Sequence, residues 1–224
     1  MNKPFVVCHM MASLDGRIDC DMTEQIGSNG YYDSLSELNV DTSIEGKGTA
    51  VKHYAEKETF VPKDNTPVGK TDFFRSHDGN HWDVIADTHG TLVYPESDTK
   101  DRLVLTSESA SKEYLYFLRD KGISYIAVGK EHIDLAKALD ILYNEFGVRR
   151  VGVVGGGHIN AGFHQAGLLD EVSMVYGAAI DGREGFTAAF DGVPADHIHP
   201  WLLKLTDVRR MSDDSVWLRY KVNN

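Results

Sequence analysis

Val153-Val154-Gly155-Gly156-Gly157-His158-Ile159-Asn160 is the stretch that decides the fold. An apolar run enters three glycines and leaves as a short segment with Ile159 and Phe163 on one face and Gly167 as its stop. That is the pattern of a buried strand feeding a helix. Arg150–Val154 reads as an apolar strand without alternation, as expected of a parallel strand covered on both faces. Backbone N–H groups at a helix start favour an anion, and glycine lets a diphosphate approach the main chain. A triple glycine equally serves where strand and helix pack too closely for a side chain, and both readings stand here. The turn reads Gly155-x-Gly157-x-x-Asn160, so the third glycine of a GxGxxG is missing. It also lies in the last third of the chain, not after the first strand, which excludes a plain Rossmann arrangement.

Working outward, strands and helices alternate, which predicts a mostly parallel sheet with covering helices. Strands are expected at Phe5–Met11, Thr42–Glu45, Asp83–Ala86, Arg102–Thr106, Ser124–Val128, Arg150–Val154 and Asp170–Ile180. Trp201–Val208 and Val216–Val222, joined at Ser212-Asp213-Asp214, read as a C-terminal antiparallel hairpin. Helices are expected at Tyr31–Leu38, Thr49–Tyr54 and Lys112–Lys121. The strongest is Leu135–Phe146, capped by Asp134 and ended by Gly147. Ser13–Asn29 reads as a loop. Val61–His81, with Pro62, Pro67 and Gly69, takes no regular assignment. An insertion this long in a compact domain is functional or mobile. It is expected to act as a lid, with Phe73, Phe74 or Trp82 covering the cleft.

The 224 residues suit one domain. A net charge of −11, from 23 basic and 34 acidic side chains, argues against nucleic acid and anionic membrane as partners. Nothing approaches the ~18 apolar residues of a membrane span. Two cysteines, Cys8 and Cys20, make no disulfide framework, and the N-terminus has no signal core, so a reduced cytoplasm is expected. Ten histidines raise the question of a metal. His197-x-His199 lacks helical i, i+4 spacing, and no carboxylate or cysteine cluster completes a set, so no metal is expected.

Ligands of parallel α/β sheets bind at the carboxyl ends of strands. Met11-Ala12-Ser13-Leu14-Asp15-Gly16, Glu45-Gly46-Lys47-Gly48-Thr49, Asp87-Thr88 and Thr106-Ser107 each follow a strand. They converge on one rim if those strands are parallel. Taken singly, each is ordinary turn chemistry. Asp15 and Asp87 are the candidate acids on that rim. Asp15 also suits a cap on its loop, and Asp87 the end of a strand. His53 and His158 fall near the same rim, or are solvated.

In these segments the chain resembles the reductase domain of the riboflavin-pathway deaminase/reductase and its single-domain archaeal counterparts. The matching pieces are Pro4–Val7 leading to Ala12–Ile18, Gly46-x-Gly48-Thr49, and Val154–Ile159 followed by Phe163, Ala166-Gly167-Leu168 and Asp170-Glu171-Val172. The resemblance implies a dihydrofolate-reductase-like α/β fold, a homodimer, and NADPH-dependent reduction of a ribosylaminopyrimidine phosphate, a small-molecule substrate. By position it implies cofactor contacts at Met11, Gly46, Gly48, Thr49, Thr88 and the turn Gly155, Gly156, Gly157, His158, Ile159, Asn160. Substrate contacts are implied at Ser13, Asp15, Thr23, Gln25, His53 and Val154. The family carries a Glu where this chain has Val154. It also has an Asp-Pro…Leu-Thr-x-Arg segment where this chain has Ala50-Val51-Lys52-His53-Tyr54-Ala55. Thr106-Ser107 suits a 2′-phosphate but adjoins Glu108, so NADPH rests on resemblance and NADH stays open. Two rivals also stand. One is a reductase of the same fold acting on a pterin, imine or carbonyl. The other is a non-catalytic nucleotide-binding protein, for which Glu45 beside Gly46 argues.

Overall fold

The computed structural model describes residues 2–18, 20–27, 29–196 and 200–223. His197 and His199 lie outside them. The chain forms two compact units, Met1–Pro4 with Asp41–Arg149, and Phe5–Val40 with Arg150–Asn224.

In the first unit the strands are β2 (Thr42–Gly46), β3 (Asp72–Phe74), β4 (Trp82–Ala86), β5 (Arg102–Thr106) and β6 (Ser124–Ala127), in the order β3-β6-β5-β4-β2. β2, β4, β5 and β6 run parallel and β3 antiparallel to β6. Three helices cover them: α3 (Lys47–His53), α4 (Lys112–Asp120) and α5 (Leu135–Asn144). Both long helices are capped as their sequences demand. Ser111 accepts from Tyr114 N at 3.1 Å and Asp134 from Lys137 N at 3.0 Å. Tyr114, Leu115 and Leu118 of α4 bury against Ile85, Val104 and Tyr125 of the sheet.

The second unit holds β1 (Phe5–Ala12), β7 (Arg150–Gly155), β8 (Glu171–Tyr176), β9 (Leu203–Arg210) and β10 (Val216–Val222), in the order β7-β1-β8-β10-β9. The first three are parallel, and β10 pairs antiparallel with both β8 and β9. The helices are α1 (Cys20–Ile26), α2 (Asn29–Glu37) and α6 (Gly157–Gln165). Val7, Met11, Leu38, Val175 and Trp217 form its core.

The α/β class, the parallel strands and the C-terminal hairpin are as the sequence predicts. Three expectations change. The loop Ser13–Asn29 contains α1, whose seven residues offer only Met22 and Ile26 as an apolar pair, too little for a visible period. The stretch 61–81 contains β3, a three-residue edge strand. The rest of the stretch is tied down. Val68 N donates to Ala110 O and Gly69 N to Glu108 O, both at 2.9 Å, and Lys63 and Asp64 amides reach Glu113. Trp82 is no lid: it is fully buried, stacked on His77 at 4.5 Å and set edge-on to Phe146 at 5.3 Å. Finally, β8 stops at Tyr176 rather than Ile180. A side chain at Gly177 would run into Ile26 and Met11, so the chain there packs as bare backbone.

Candidate active site

Each unit gathers its predicted residues at the carboxyl edge of its parallel strands. In the second unit Ala12 and Tyr176 stand opposite each other at the ends of β1 and β8, and β7, which pairs with β1 as far as Val153 opposite Cys8, ends at Gly155. The three glycines after β7 differ in what they do. Gly155 has φ +118, a conformation side chains rarely adopt. Gly157 faces the carbonyl of Ala188 and the methyl of Thr187, where a Cβ would collide. Gly156 has φ −75, and a Cβ on it would meet nothing within 4 Å. Packing does not require glycine there, and the open space beside the backbone leaves room for an external group to approach. Gly156 is also the N-cap of α6 and offers no side chain to the free amides of its first turn. The residues present therefore fit a phosphate-bearing cofactor.

His158 is exposed and packs beside Gly192, and Ile159 is half-buried. Asn160 is fully buried; its Nδ2 donates to Ala189 O at 2.7 Å, while its Oδ1 has no partner among the described residues. Met11 is 7% exposed, and its side chain belongs to the core.

The Ser13 loop closes tightly. Gly16 N donates to Ser13 O and Ser13 N to Arg17 O, both at 2.9 Å, with Gly16 at φ +85. Asp15 accepts from Ser13 Oγ at 2.6 Å, Asp181 N at 3.0 Å and Gly182 N at 2.9 Å. Those donors hold its carboxyl well below the usual carboxylate range, the Ser13 hydroxyl contributing most. A group so held has no proton to give near neutral pH. Thr23 and Gln25 ride on α1, Thr23 half-buried and Gln25 exposed with Nε2 on Asp21 O at 2.7 Å. Val154 is half-buried on β7.

Sequence reasoning missed the segment 177–191, which joins these pieces. Leu14 N donates to Ala179 O at 2.8 Å, Ile18 N to Thr187 O at 3.3 Å, and Arg17 bridges Ala188. The same segment meets α6 through Asp191 N on Gly157 O at 3.2 Å and through Asn160. Its sequence carries glycines but no periodicity, so only the turn signal of Gly182 and Gly185 was there to be read.

In the first unit β2, β4 and β5 end together at Gly46, Ala86 and Thr106. Gly48 and Thr49 lie in the first turn of α3, behind Lys47, and a Cβ on Gly48 would also meet nothing within 4 Å. Asp87 is 1% exposed and accepts the amides of Thr91 and Leu92 at 2.6 and 2.8 Å. Thr88 is half-buried, and its carbonyl takes Thr106 Oγ1 at 3.0 Å and Ser107 Oγ at 2.8 Å. The Thr106 and Ser107 hydroxyls thus serve the main chain. Glu108 turns to Thr71 Oγ1 at 2.9 Å. Glu45 is half-buried and accepts from the Tyr54 hydroxyl; burial pushes its carboxyl up. That carboxyl is engaged, which removes the feature that argued for a non-catalytic protein. His53 is exposed at the end of α3. No cluster of three metal-ligating side chains occurs among the described residues.

A parallel-stranded α/β protein with a glycine turn and a closed Ser-Leu-Asp-Gly loop at its strand ends is the class that fold and site define. The chain belongs to the RibD C-terminal domain family, whose model matches residues 4–217. A 2,5-diamino-6-ribosylamino-4(3H)-pyrimidinone 5′-phosphate reductase from Aquifex aeolicus is 32% identical over 90 residues, 40% of either chain. One from Archaeoglobus fulgidus is 26% identical over 201 residues, 85% of this chain and 87% of its own. The crystal structure of a pyrimidine reductase-like protein from Corynebacterium diphtheriae superposes with a TM-score of 0.73 at 18% identity, covering 99% of this chain and 92% of that one. It shares the dihydrofolate-reductase-like fold.

Proposed function

We propose that this protein is an NADPH-dependent reductase of a ribosylaminopyrimidine 5′-phosphate, acting in the cytoplasm as a homodimer. The observation that carries the reading is Gly156, whose backbone is open to an approaching group, in the turn of a family whose relatives are named reductases. The proposed cofactor contacts are Gly155–Asn160 and the main chain at Met11 in the second unit. In the first unit they are Gly46, Gly48, Thr49 and Thr88. When bound, the dinucleotide supplies the hydride that turns the ribosyl group into an open ribityl chain.

The protein's own part is to bind, orient and exclude water. Ser13 and Asp15 shape the substrate loop and fix Asp181–Gly182 beside it. Asp15 is held ionised and acts as an organiser, and Asp87 is engaged in its own turn, so water is the proton source. Thr23, Gln25, His53 and Val154 are the side chains proposed nearest the substrate. Val154 and the Ala50–Ala55 segment support a second reading, a reductase of a pterin, imine or carbonyl.

The deciding assay is loss of reduced-nicotinamide absorbance on adding the ribosylaminopyrimidine phosphate. Turnover supports the first reading. Tight NADPH binding without turnover, but with turnover of an alternative substrate, supports the second.

A further inference from the structure

Lys47 stands between two segments on which the cofactor reading depends. It opens α3 beside Gly48 and Thr49. Its Nζ lies 3.4 Å from Asp87 Oδ1 and donates to Thr91 Oγ1. Asp87 is the hub of the turn that follows β4. Its Oδ2 takes the Thr91 and Leu92 amides, the Tyr114 hydroxyl stands 3.5 Å from the same oxygen, and its carbonyl takes Gly90 N at 3.1 Å. Gly90 has φ +66 and lies so close to the Tyr114 ring that a Cβ would collide with it. The turn therefore has little room to rearrange. Thr88 sits inside it, with its carbonyl fixed from β5.

A carboxylate removed from water is costly unless donors and a cation face it. The amides and hydroxyls around Asp87 are neutral, and its counter-charge is Lys47. The Lys47 ammonium is engaged by Asp87 and Thr91, so it is not itself placed to take a phosphate.

We propose that Lys47 is a positioning residue for the dinucleotide: its ion pair with Asp87 locks the Gly48-Thr49 turn to the Thr88 turn, so that both meet the cofactor in one fixed arrangement. The inference rests on the reductase reading. It adds a residue whose effect on cofactor affinity comes through Asp87 rather than through contact.

Lys47→Met keeps much of the apolar stem and removes the charge, whereas Lys47→Arg keeps the charge. Two readouts are needed. The first is the NADPH Kd by calorimetry. The second is amide hydrogen exchange at Thr91 and Leu92, which needs no cofactor. Lys47→Met is expected to raise the Kd about tenfold and to speed exchange at both amides. Lys47→Arg is expected to return the Kd to within about threefold of wild type. A Lys47→Met Kd within about twofold of wild type overturns the inference, as does a Lys47→Arg variant as weak as Lys47→Met. If Lys47→Met does not fold, Lys47→Gln, which keeps a donor for Asp87, carries the same test. Should the wild type bind no dinucleotide, the reductase reading fails and takes this inference with it. Wild-type binding with an unaffected variant overturns the inference alone.

Discussion

Three adjacent glycines have three different causes, and substitution separates them. Gly155 answers a positive φ, Gly157 the closeness of Ala188, and Gly156 has open space where a Cβ would stand. Gly157→Ala is expected to lower stability by about 1–3 kcal/mol, seen as a lower Tm without ligand. Gly156→Ala is expected to leave that Tm within a few degrees of wild type, since its methyl points into open space. If Gly156→Ala melted as early as Gly157→Ala, the turn would be packing alone. Asp15 shows the same economy of reading. An aspartate in a strand-end loop suggested an acid, yet three donors hold it as a carboxylate. The sequence carried the residue type and its neighbour Ser13, the strongest donor, whereas the other two donors, the Asp181 and Gly182 amides, come from a segment distant in the chain.

Among the elements, β1 carries an unadvertised titration. His9 is fully buried, stacked on Tyr31 at 4.6 Å. Its Nε2 faces Tyr31 O at 3.1 Å and so carries the proton, while its Nδ1 takes the Ser173 hydroxyl at 2.9 Å. Burial pushes the imidazole down from 6.5 to about 4. Between those pH values the unfolded chain binds a proton that the folded chain refuses. Stability is therefore complete above 6.5 and falls by about 3 kcal/mol as pH drops toward 4. Urea melts across that window should show the slope, and His9→Gln should flatten it. An unchanged slope in the variant would place the acid sensitivity elsewhere. The long elements were legible because their signals are local. Leu139 and Leu142 recur at helical spacing and Asp134 caps them, as found in α5. The elements that escaped are short or irregular. α1 has seven residues, β3 has three, and the clamp 177–191 is held by backbone bonds to Leu14, Ile18 and Gly157 that no local pattern encodes.

At the scale of the whole molecule, the strand order explains why the predicted pieces could be found in sequence at all. Within each unit a parallel strand delivers its carboxyl end to the same edge as its neighbours, so that unit's strand-end motifs gather without further instruction. What that rule does not supply is the substrate. Val154 and the Ala50–Ala55 segment are where the sequence departs from the pattern the resemblance implies, and nothing in the strand order replaces what they omit. The proposed dimer also belongs at this scale. On β9, Leu203 and Leu205 are 37% and 49% exposed, and Val208 is 56% exposed, on a strand at the edge of the sheet among the described residues. Exposed apolar side chains on an edge strand favour association. Sedimentation should give a dimer for the wild type and a monomer for Leu205→Arg; a wild-type monomer would remove the homodimer from the account.

The central claim is that the glycine turn after β7 receives a reduced dinucleotide. Titration of the wild type and Gly156→Ala with NADPH and NADH, followed by calorimetry, tests it most directly. The account predicts wild-type affinity for NADPH on the order of micromolar, tighter than for NADH, and a loss of about tenfold or more in Gly156→Ala. Wild-type protein that binds neither nucleotide, or Gly156→Ala protein that binds NADPH as well as wild type, would contradict it.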